Sequence, residues 1–210
     1  MRSYEQFCAL AKALDLVGDR WTLLIIRELL IRGRCRYTDL RDGLPGVATN
    51  LLAIRLRELE QAELITREDA PPPVATALYQ LTDRGKALEP AILLLGQWGA
   101  PLLAKKSKRD HFRSHWLSIP FGMHLTDNTP KRPPASIEIR ADDQPLTITT
   151  VGDGSVRARP GTTSNPDAVI EGQPAIILDL LTKKISLHAA RRRGLKYDGD
   201  PNVLRRVQRR

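Results

Sequence analysis

The segment that follows the turn at residues 45–46 carries side chains that could read the bases of DNA. At 3.6 residues per turn, Asn50, Ile54 and Arg57 share one face of a helix predicted over 50–62. An Asn side chain can pair with adenine, and an Arg side chain can pair with guanine or a phosphate. The residues predicted to contact DNA are Thr38, Thr49, Asn50, Ala53, Ile54, Arg55, Arg57 and Arg67.

The two arginines of this segment also allow a purely structural interpretation. Arg55 and Arg57 could pair with Glu58 and Glu60 and only keep the outer face of the helix in water. Arg55 lies on the flank, where a phosphate contact or a salt bridge fits better than a base contact. For each arginine both interpretations stay open, but the whole set of elements around them favours DNA.

The helices and the hairpin predicted around this segment must hold its outer face in place. Apolar periodicity predicts helices over 5–17, 21–31, 38–44, 50–62 and 84–104, and strands over 64–67 and 77–81. Leu52, Leu56 and Leu59 form the inward stripe of the 50–62 helix, with Thr49 as its N-cap, and Thr82 caps the last helix. A helix after a tight turn, followed by a hairpin with an exposed proline loop, is typical of a winged helix-turn-helix.

Residues 5–104 resemble the HxlR-type transcriptional regulators, a branch of the MarR-like winged helix proteins. The stretches that carry the resemblance are ALDLVGDRWTLLIIRELL (13–30), RYTDLRDGLPGVATNLLAIRLRELEQAELI (36–65) and ALYQLTDRGKALEPAILLLGQWG (77–99). The resemblance implies a homodimer that binds an inverted repeat of double-stranded DNA in a promoter. It also implies that terminal helices form the dimer interface, a role that the 84–104 helix, with Leu95 and Trp98, would take here.

The distribution of charge limits what can be inferred from the net charge of +9. Residues 1–104 carry 13 Lys+Arg and 13 Asp+Glu, whereas residues 105–210 carry 20 basic and 11 acidic residues. DNA contact by the first half therefore depends on local placement of Arg. The wing, at 68–73, is acidic and apolar where wings of the family are frequently basic, so strong wing contacts with phosphate are not expected.

Cys8 and Cys35 are the two cysteines, which implies no disulfide framework and favours a reducing cytoplasm. Cys8 lies where many members of the family that the chain resembles carry an N-terminal cysteine, which in some of them senses oxidants or electrophiles. The alternative is a small buried side chain beside Phe7. For Cys35, the neighbouring Arg34 and Arg36 would favour the thiolate, although a loop that faces phosphate explains the two arginines equally well.

The second half reads as an antiparallel sheet followed by helices. Strands are predicted over 119–127, 136–140, 146–149 and 168–170, and helices over 173–181, 186–193 and from 201 onward. The fold class is therefore α+β, with an N-terminal winged helix-turn-helix domain and a C-terminal domain of mainly antiparallel sheet covered by helices.

The stretch DAVIEGQPAIILDLLTKKISLHAARRRGLKYDGDPNVLRRV (167–207) resembles the sterol carrier protein type two-like fold. The resemblance implies an apolar cavity for a lipid-like or other hydrophobic small molecule. The residues predicted to line it are Trp116, Phe121, Met123, Leu125, Ile137, Ile139, Ile148, Ile177 and Leu181. The sequence is equally compatible with a solid core in which the same residues pack against one another.

These patterns predict three regions and one function. Residues 1–104 form the DNA-binding and dimerisation domain, 105–115 a basic linker or helix end, and 116–210 the ligand-binding domain. The expected protein is a cytoplasmic, dimeric transcriptional regulator whose second domain senses a hydrophobic molecule. The alternatives are a regulator switched through Cys8 with a structural tail and, more remotely, a lipid carrier.

Enzymatic activity and bound ions are not predicted from the sequence. It offers no nucleophile–base pair, phosphate loop or metal cluster, so neither an enzyme nor a cofactor is expected. His111 and His115 stand four residues apart without a third ligand and are interpreted as surface residues. No apolar run reaches the roughly 18 residues that cross a bilayer, so no membrane partner is expected.

Overall fold

The computed structural model describes residues 3–69, 76–104, 107, 109–141 and 144–209. The chain divides after Asp110 into two compact units, each with its own elements. Together they make an α+β protein, as predicted from the sequence. The proline loop of the wing, most of the 105–108 charge run and the turn at 142–143 lie outside the described residues.

The first unit is a helical assembly closed by a small sheet. Its elements are α1 (Ala9–Val17), α2 (Thr22–Arg32), β1 (Cys35–Arg36), α3 (Tyr37–Gly43), α4 (Thr49–Gln61), β2 (Ile65–Asp69), β3 (Ala77–Leu81), α5 (Asp83–Lys86), α6 (Glu89–Gly99) and a 3₁₀ helix (Ala100–Ala104). The sheet is antiparallel in the order β1-β3-β2, so β2 and β3 form the predicted hairpin and β1 is added to it. The winged helix-turn-helix arrangement is thus confirmed.

The packing of α2 against α3 depends on a buried carboxylate. Glu28 is fully buried on α2 and pairs with Arg27 and Arg32 at 2.7 and 3.2 Å. Its carboxylate occupies the space where a Cβ on Gly43 would lie. Glycine at the end of α3 therefore permits the two helices to approach this closely.

Three predictions for the first unit need correction. The first helix begins at Ala9 instead of residue 5, and Phe7 lies exposed before it. The predicted 84–104 helix is interrupted after α5, and Pro90, which has no N–H to donate, lies in the first turn of α6. Thr49 does not cap α4, because Ala48 takes the extended cap conformation and no side chain accepts there.

The second unit is a five-stranded sheet with helices. Its elements are a 3₁₀ helix (Ser114–Leu117), α7 (Ser118–His124), β4 (Leu125–Asp127), β5 (Ser136–Arg140), β6 (Leu146–Thr150), β7 (Val156–Pro160), β8 (Ala168–Glu171), α8 (Pro174–Leu181), α9 (Leu187–Arg192), β9 (Lys196–Gly199), α10 (Pro201–Arg206) and β10 (Val207–Arg209). The sheet order is β7-β6-β5-β8-β9, with β5 and β8 parallel and the other pairs antiparallel. β10 pairs separately with β4.

Three predictions for the second unit are wrong. One is the helix from 201 onward, which ends at Arg206, after which β10 begins. Most of the predicted 119–127 strand is helix α7, and only its last three residues are strand. His115 is buried instead of lying at the surface, and its ring packs edge-on against Trp116 with centroids 6.0 Å apart. Strands β7, β9 and β10 were not predicted.

A buried ion pair fastens the last elements of the second unit to its sheet. The Arg206 guanidinium donates to both oxygens of Asp127, at 2.8 and 2.7 Å, and to Thr150 at 3.1 Å. These bonds join α10 to β4 and β6. Hydrogen bonding from Arg206 holds the pKa of Asp127 below its ordinary value.

Among the described residues, no helix combines the length and apolar character needed to cross a bilayer. The same residues contain no cluster of three potential metal ligands.

Candidate nucleic-acid interface

Helix α4 has one face buried in the first unit and one face in solvent. Leu52, Leu56 and Leu59 are almost fully buried, as the inward stripe predicted. Asn50, Ile54, Arg57, Thr38, Thr49 and Arg67 are exposed, whereas Ala53 and Arg55 are partly buried. The apolar stripe therefore fixes the rotation of the helix and leaves Asn50, Ile54 and Arg57 facing outward.

The start of α4 is tied to α3 by a tyrosine that the sequence interpretation did not assign to the site. The Tyr37 hydroxyl donates to the carbonyl oxygen of Thr49 at 2.7 Å. Thr38, beside Tyr37, is exposed in the first turn of α3. The two helix starts that carry predicted contact residues are thus held together.

Arg55 and Arg57 have different environments despite their spacing. Arg55 Nη1 lies 2.6 Å from Asp19 Oδ2 and 2.5 Å from Glu58 Oε2. Its side chain is only 15% exposed. Arg57 is exposed and makes one weak bond, from Nε to the carbonyl oxygen of Ala53 at 3.3 Å. Of the two roles open to Arg55, the salt bridge is the one observed.

The wing is held by internal charge pairs. Arg34, in the turn between α2 and β1, pairs with Glu68 on β2, and Gln80 on β3 donates to the same carboxylate at 2.8 Å. Arg67 lies 3.2 Å from Asp69 on its own strand. Both arginines are about half exposed, so they pair with acidic neighbours at a solvent-facing surface.

The two cysteines contrast in burial. Cys8 is exposed at the N-cap position of α1. The alternative of a buried side chain beside Phe7 is therefore wrong. Cys35 is buried on β1, and burial raises the pKa of its thiol to about 12. The expectation that Arg34 and Arg36 favour the Cys35 thiolate is therefore wrong, because loss of solvation dominates and the cation that opposes it is Arg32.

The residues predicted to line a ligand cavity lie together in the second unit. Seven of the nine belong to one buried hydrophobic cluster, namely Phe121, Leu125, Ile137, Ile139, Ile148, Ile177 and Leu181. Trp116 and Met123 are partly buried. Trp116 packs edge-on against Phe112, with ring centroids 6.4 Å apart. This packing fits the solid-core alternative that the sequence left open.

Comparison with known proteins identifies the first unit. A family model described as HxlR-like helix-turn-helix matches residues 16–107. The uncharacterized HTH-type transcriptional regulator sll1512 of Synechocystis sp. is 34% identical over 100 residues, which cover 48% of this chain and 73% of that protein. The chain belongs to the HxlR-like helix-turn-helix family. It is a transcriptional regulator of the HxlR/MarR type, a class that binds DNA through the helix-turn-helix.

A second relative of this HxlR-type chain is the HTH-type transcriptional regulator YodB of Bacillus subtilis. It is 35% identical over 86 residues, which cover 41% of this chain and 76% of YodB. The match to the crystal structure of diamide-treated YodB covers 46% of this chain and 96% of the YodB chain, with 32% identity and a TM-score of 0.39. The family match ends at residue 107, so the sterol carrier-like interpretation of the second half stays a prediction.

Proposed function

We propose that this HxlR-type regulator is a homodimer that recognises an inverted repeat in promoter DNA through α4, and that its second unit senses a hydrophobic small molecule. The outward face of α4, with Asn50, Ile54 and Arg57, carries the DNA part of the proposal. An exposed helix face of these residue types can enter the major groove and contact base edges. Arg55 then acts by positioning α4 through its bond to Asp19.

Binding to the DNA upstream of the protein's own gene tests the proposed reading face. Arg57→Ala and Asn50→Ala should each weaken specific binding by about 1–3 kcal/mol and relax base preference. Lys86→Ala is the matched control for Arg57→Ala, because it also removes one exposed positive charge from the first unit. Equal losses of DNA affinity in the Arg57 and Lys86 variants would mean that net charge alone explains the effect. That result would contradict the assignment of Arg57 to a DNA contact.

The dimer part of the proposal is supported by apolar side chains that the isolated chain leaves in water. On α6 and the 3₁₀ helix after it, Leu94, Leu95, Trp98, Leu102 and Leu103 are exposed, with Trp98 at 75%. Exposed apolar patches of this kind commonly mark protein interfaces. The surface lies within the predicted 84–104 region, although that region is two helices and a 3₁₀ helix.

Cys8 supports a second candidate mechanism of regulation. Its exposure at the start of α1 meets the first requirement for a thiol that reacts with oxidants or electrophiles. In that case the second unit would be structural, and Cys8→Ser would abolish release of DNA by an oxidant such as diamide. A Cys8→Ser variant that still responds fully would exclude this mechanism. A lipid carrier without DNA binding ranks last, because it leaves the α4 face without a role.

A further inference from the structure

An open depression lies on the second unit, away from the buried cluster that the sequence predicted as a ligand site. Its volume is about 430 Å³. It lies between the α8–α9 turn and the elements α10 and β10. The residues around it are Leu180, Lys183, Lys184, Ile185, Ser186, Leu187, Pro201, Leu204, Arg205 and Gln208. A volume of this size falls in the range of roughly 300–1,000 Å³ that small-molecule sites occupy.

The floor of the depression is apolar and rigidly supported. Leu180 and Leu204 belong to the buried cluster of the second unit, and only their outer atoms reach the depression. Ile185 and Leu187 are partly buried and pack against the same cluster. A ligand with an apolar body would remove the remaining exposed surface of these side chains from water, which is favourable.

The rim of the depression is cationic. Lys183 and Lys184 stand on the α8–α9 turn, and Arg205 stands opposite them on α10. Lys184 Nζ has a carboxylate, Asp179 Oδ1, at 3.7 Å. Within the described part of the chain, Lys183 and Arg205 form no ion pair. Arg205 has the Asp200 carboxylate nearby, and its charge contributes to lowering the pKa of that carboxyl. Three cations from two elements thus surround one apolar floor, and Asp179 and Asp200 partly offset the charges of Lys184 and Arg205.

We propose that this depression binds an amphiphilic carboxylate, with its apolar body on the Leu180–Leu204 floor and its anionic head among Lys183, Lys184 and Arg205. The proposal rests on the proposed sensing function of the second unit, and it moves the ligand from the packed core to this surface site. The cationic rim repels a cationic head group, and it offers a neutral hydroxyl hydrogen bonds without the charge complementarity that a carboxylate has. The charge of the head group is therefore the property that the site selects.

Calorimetric titration of the full-length protein, without DNA, tests the selectivity. The probes are octanoate, 1-octanol and octylamine, which share an apolar chain and differ in head-group charge. Octanoate should bind at one site per chain, at least about tenfold more tightly than 1-octanol, since a charge-assisted contact is worth about a factor of ten or more. Octylamine should not bind. Equal affinities for octanoate and 1-octanol would overturn the proposal.

Charge-removing variants at the rim locate the site. Lys183→Gln and Arg205→Gln keep much of each side chain and alter exposed positions, so the fold should persist. The double variant should lose about tenfold in octanoate affinity and leave the affinity for 1-octanol unchanged. Lys131→Gln is the matched control, since it removes an exposed positive charge from the same unit outside the depression. An octanoate affinity that is the same in the double variant as in the parent protein would place the ligand elsewhere and overturn the assignment.

The same variants separate this proposal from a DNA-backbone contact and from the DNA-binding proposal. If the rim instead binds phosphates, the double variant would reduce the salt dependence of DNA affinity with no change in octanoate binding. That result would overturn the proposal. Failure of the titration leaves the promoter-binding test of α4 intact, and failure of promoter binding leaves the titration result intact.

Discussion

Arg55 on α4 reaches Asp19, just before α2, with Nη1 and Oδ2 2.6 Å apart. The bond links α4 to the segment before α2 and takes one of the two arginines of α4 out of the exposed face. Arg57, two residues later, is left to face solvent. Arg55 is thus held within the fold, whereas Arg57 is free to take the DNA contact proposed for it.

Arg55→Ala should lower the thermal stability of the first unit, whereas Arg57→Ala should not. The loss is expected to be about 1 kcal/mol, because the ion pair is partly exposed and the stem of Arg55 also packs. Thermal unfolding of the two variants beside the parent protein measures the difference. If Arg55→Ala unfolds at the parent temperature, the Asp19 bond does not position α4.

Glu68→Gln should increase affinity for DNA. The change removes an acidic charge from the wing and releases Arg34, which would then be available to a phosphate. One added phosphate contact would steepen the slope of log affinity against log salt concentration by about 0.9. Promoter binding measured over a range of salt concentrations gives both quantities.

The control for the wing variant is Glu89→Gln, which removes an exposed acidic charge from α6. It should change affinity less and leave the slope as it is. The same gain in both variants would mean that net charge, and not release of Arg34, is responsible.

Iodoacetamide at pH 8 should modify Cys8 and leave Cys35 intact in the folded protein. Cys8 is exposed, whereas burial raises the pKa of the Cys35 thiol to about 12, so almost no thiolate is present. Mass spectrometry of digested protein reads both sites, and labelling in denaturant, where both should react, is the control. Modification of Cys35 before unfolding would contradict the buried position of β1.

Asp127→Asn should destabilise the second unit by roughly 3–5 kcal/mol, the usual cost of breaking a buried ion pair on one side. The pKa of Asp127 is lowered by hydrogen bonding to Arg206. The pair therefore contributes fully above the ordinary Asp value of about 3.9 and its contribution is lost as the pH falls through the lowered pKa. Denaturant unfolding at pH 7 and at pH 2–3 measures both effects.

The acid sensitivity separates the ion pair from a general loss of packing. Asp127→Asn should lose less stability than the parent protein on acidification, because the ion pair with Arg206 is already broken in this variant. Asp198→Asn, an exposed carboxylate on β9, should behave like the parent protein at both pH values. If Asp127→Asn lost as much stability on acidification as the parent protein, Asp127 would be excluded as the titrating group.

Trp98→Ala combined with Leu102→Ala should shift the protein from dimer to monomer. The two side chains are 75% and 64% exposed in the single chain, so their loss should cost the fold of one protomer little. Size-exclusion chromatography with light scattering gives the mass. Leu24→Ala, an exposed leucine on α2, is the control and should stay dimeric. A double variant that remains dimeric would place the interface elsewhere.

Helix α4 could be predicted from the sequence because the apolar pattern that determines it lies within one short segment. Leu52, Leu56 and Leu59 recur at helical spacing, and that spacing alone determines which residues face outward. The partner of Arg55 could not be predicted in this way. Asp19 lies 36 positions earlier, and only the tertiary fold of the first unit brings its carboxylate to the guanidinium.

Tertiary burial accounts for the errors at Cys35 and in the second unit. The charges beside Cys35 are visible in the sequence, but the β1–β3 pairing that buries its thiol is not. Phe121, Met123 and Leu125 alternate like a strand over too short a run to exclude a helix, and α7 is the result. The depression at 180–208 is lined by residues from separate elements, so no single stretch of the sequence could predict it.

The pairing of β10 with β4 has a consequence for synthesis of the protein. All described elements of the first unit lie within residues 3–104, so that unit can form as soon as they have left the ribosome. The second unit must wait for Arg206, which pairs with Asp127, and for residues 207–209, which form the strand that pairs with β4. During that interval the nascent chain carries a complete first unit, followed by a second unit that lacks its last strand and its buried ion pair. The second half is therefore the part for which aggregation and chaperone binding are expected during synthesis.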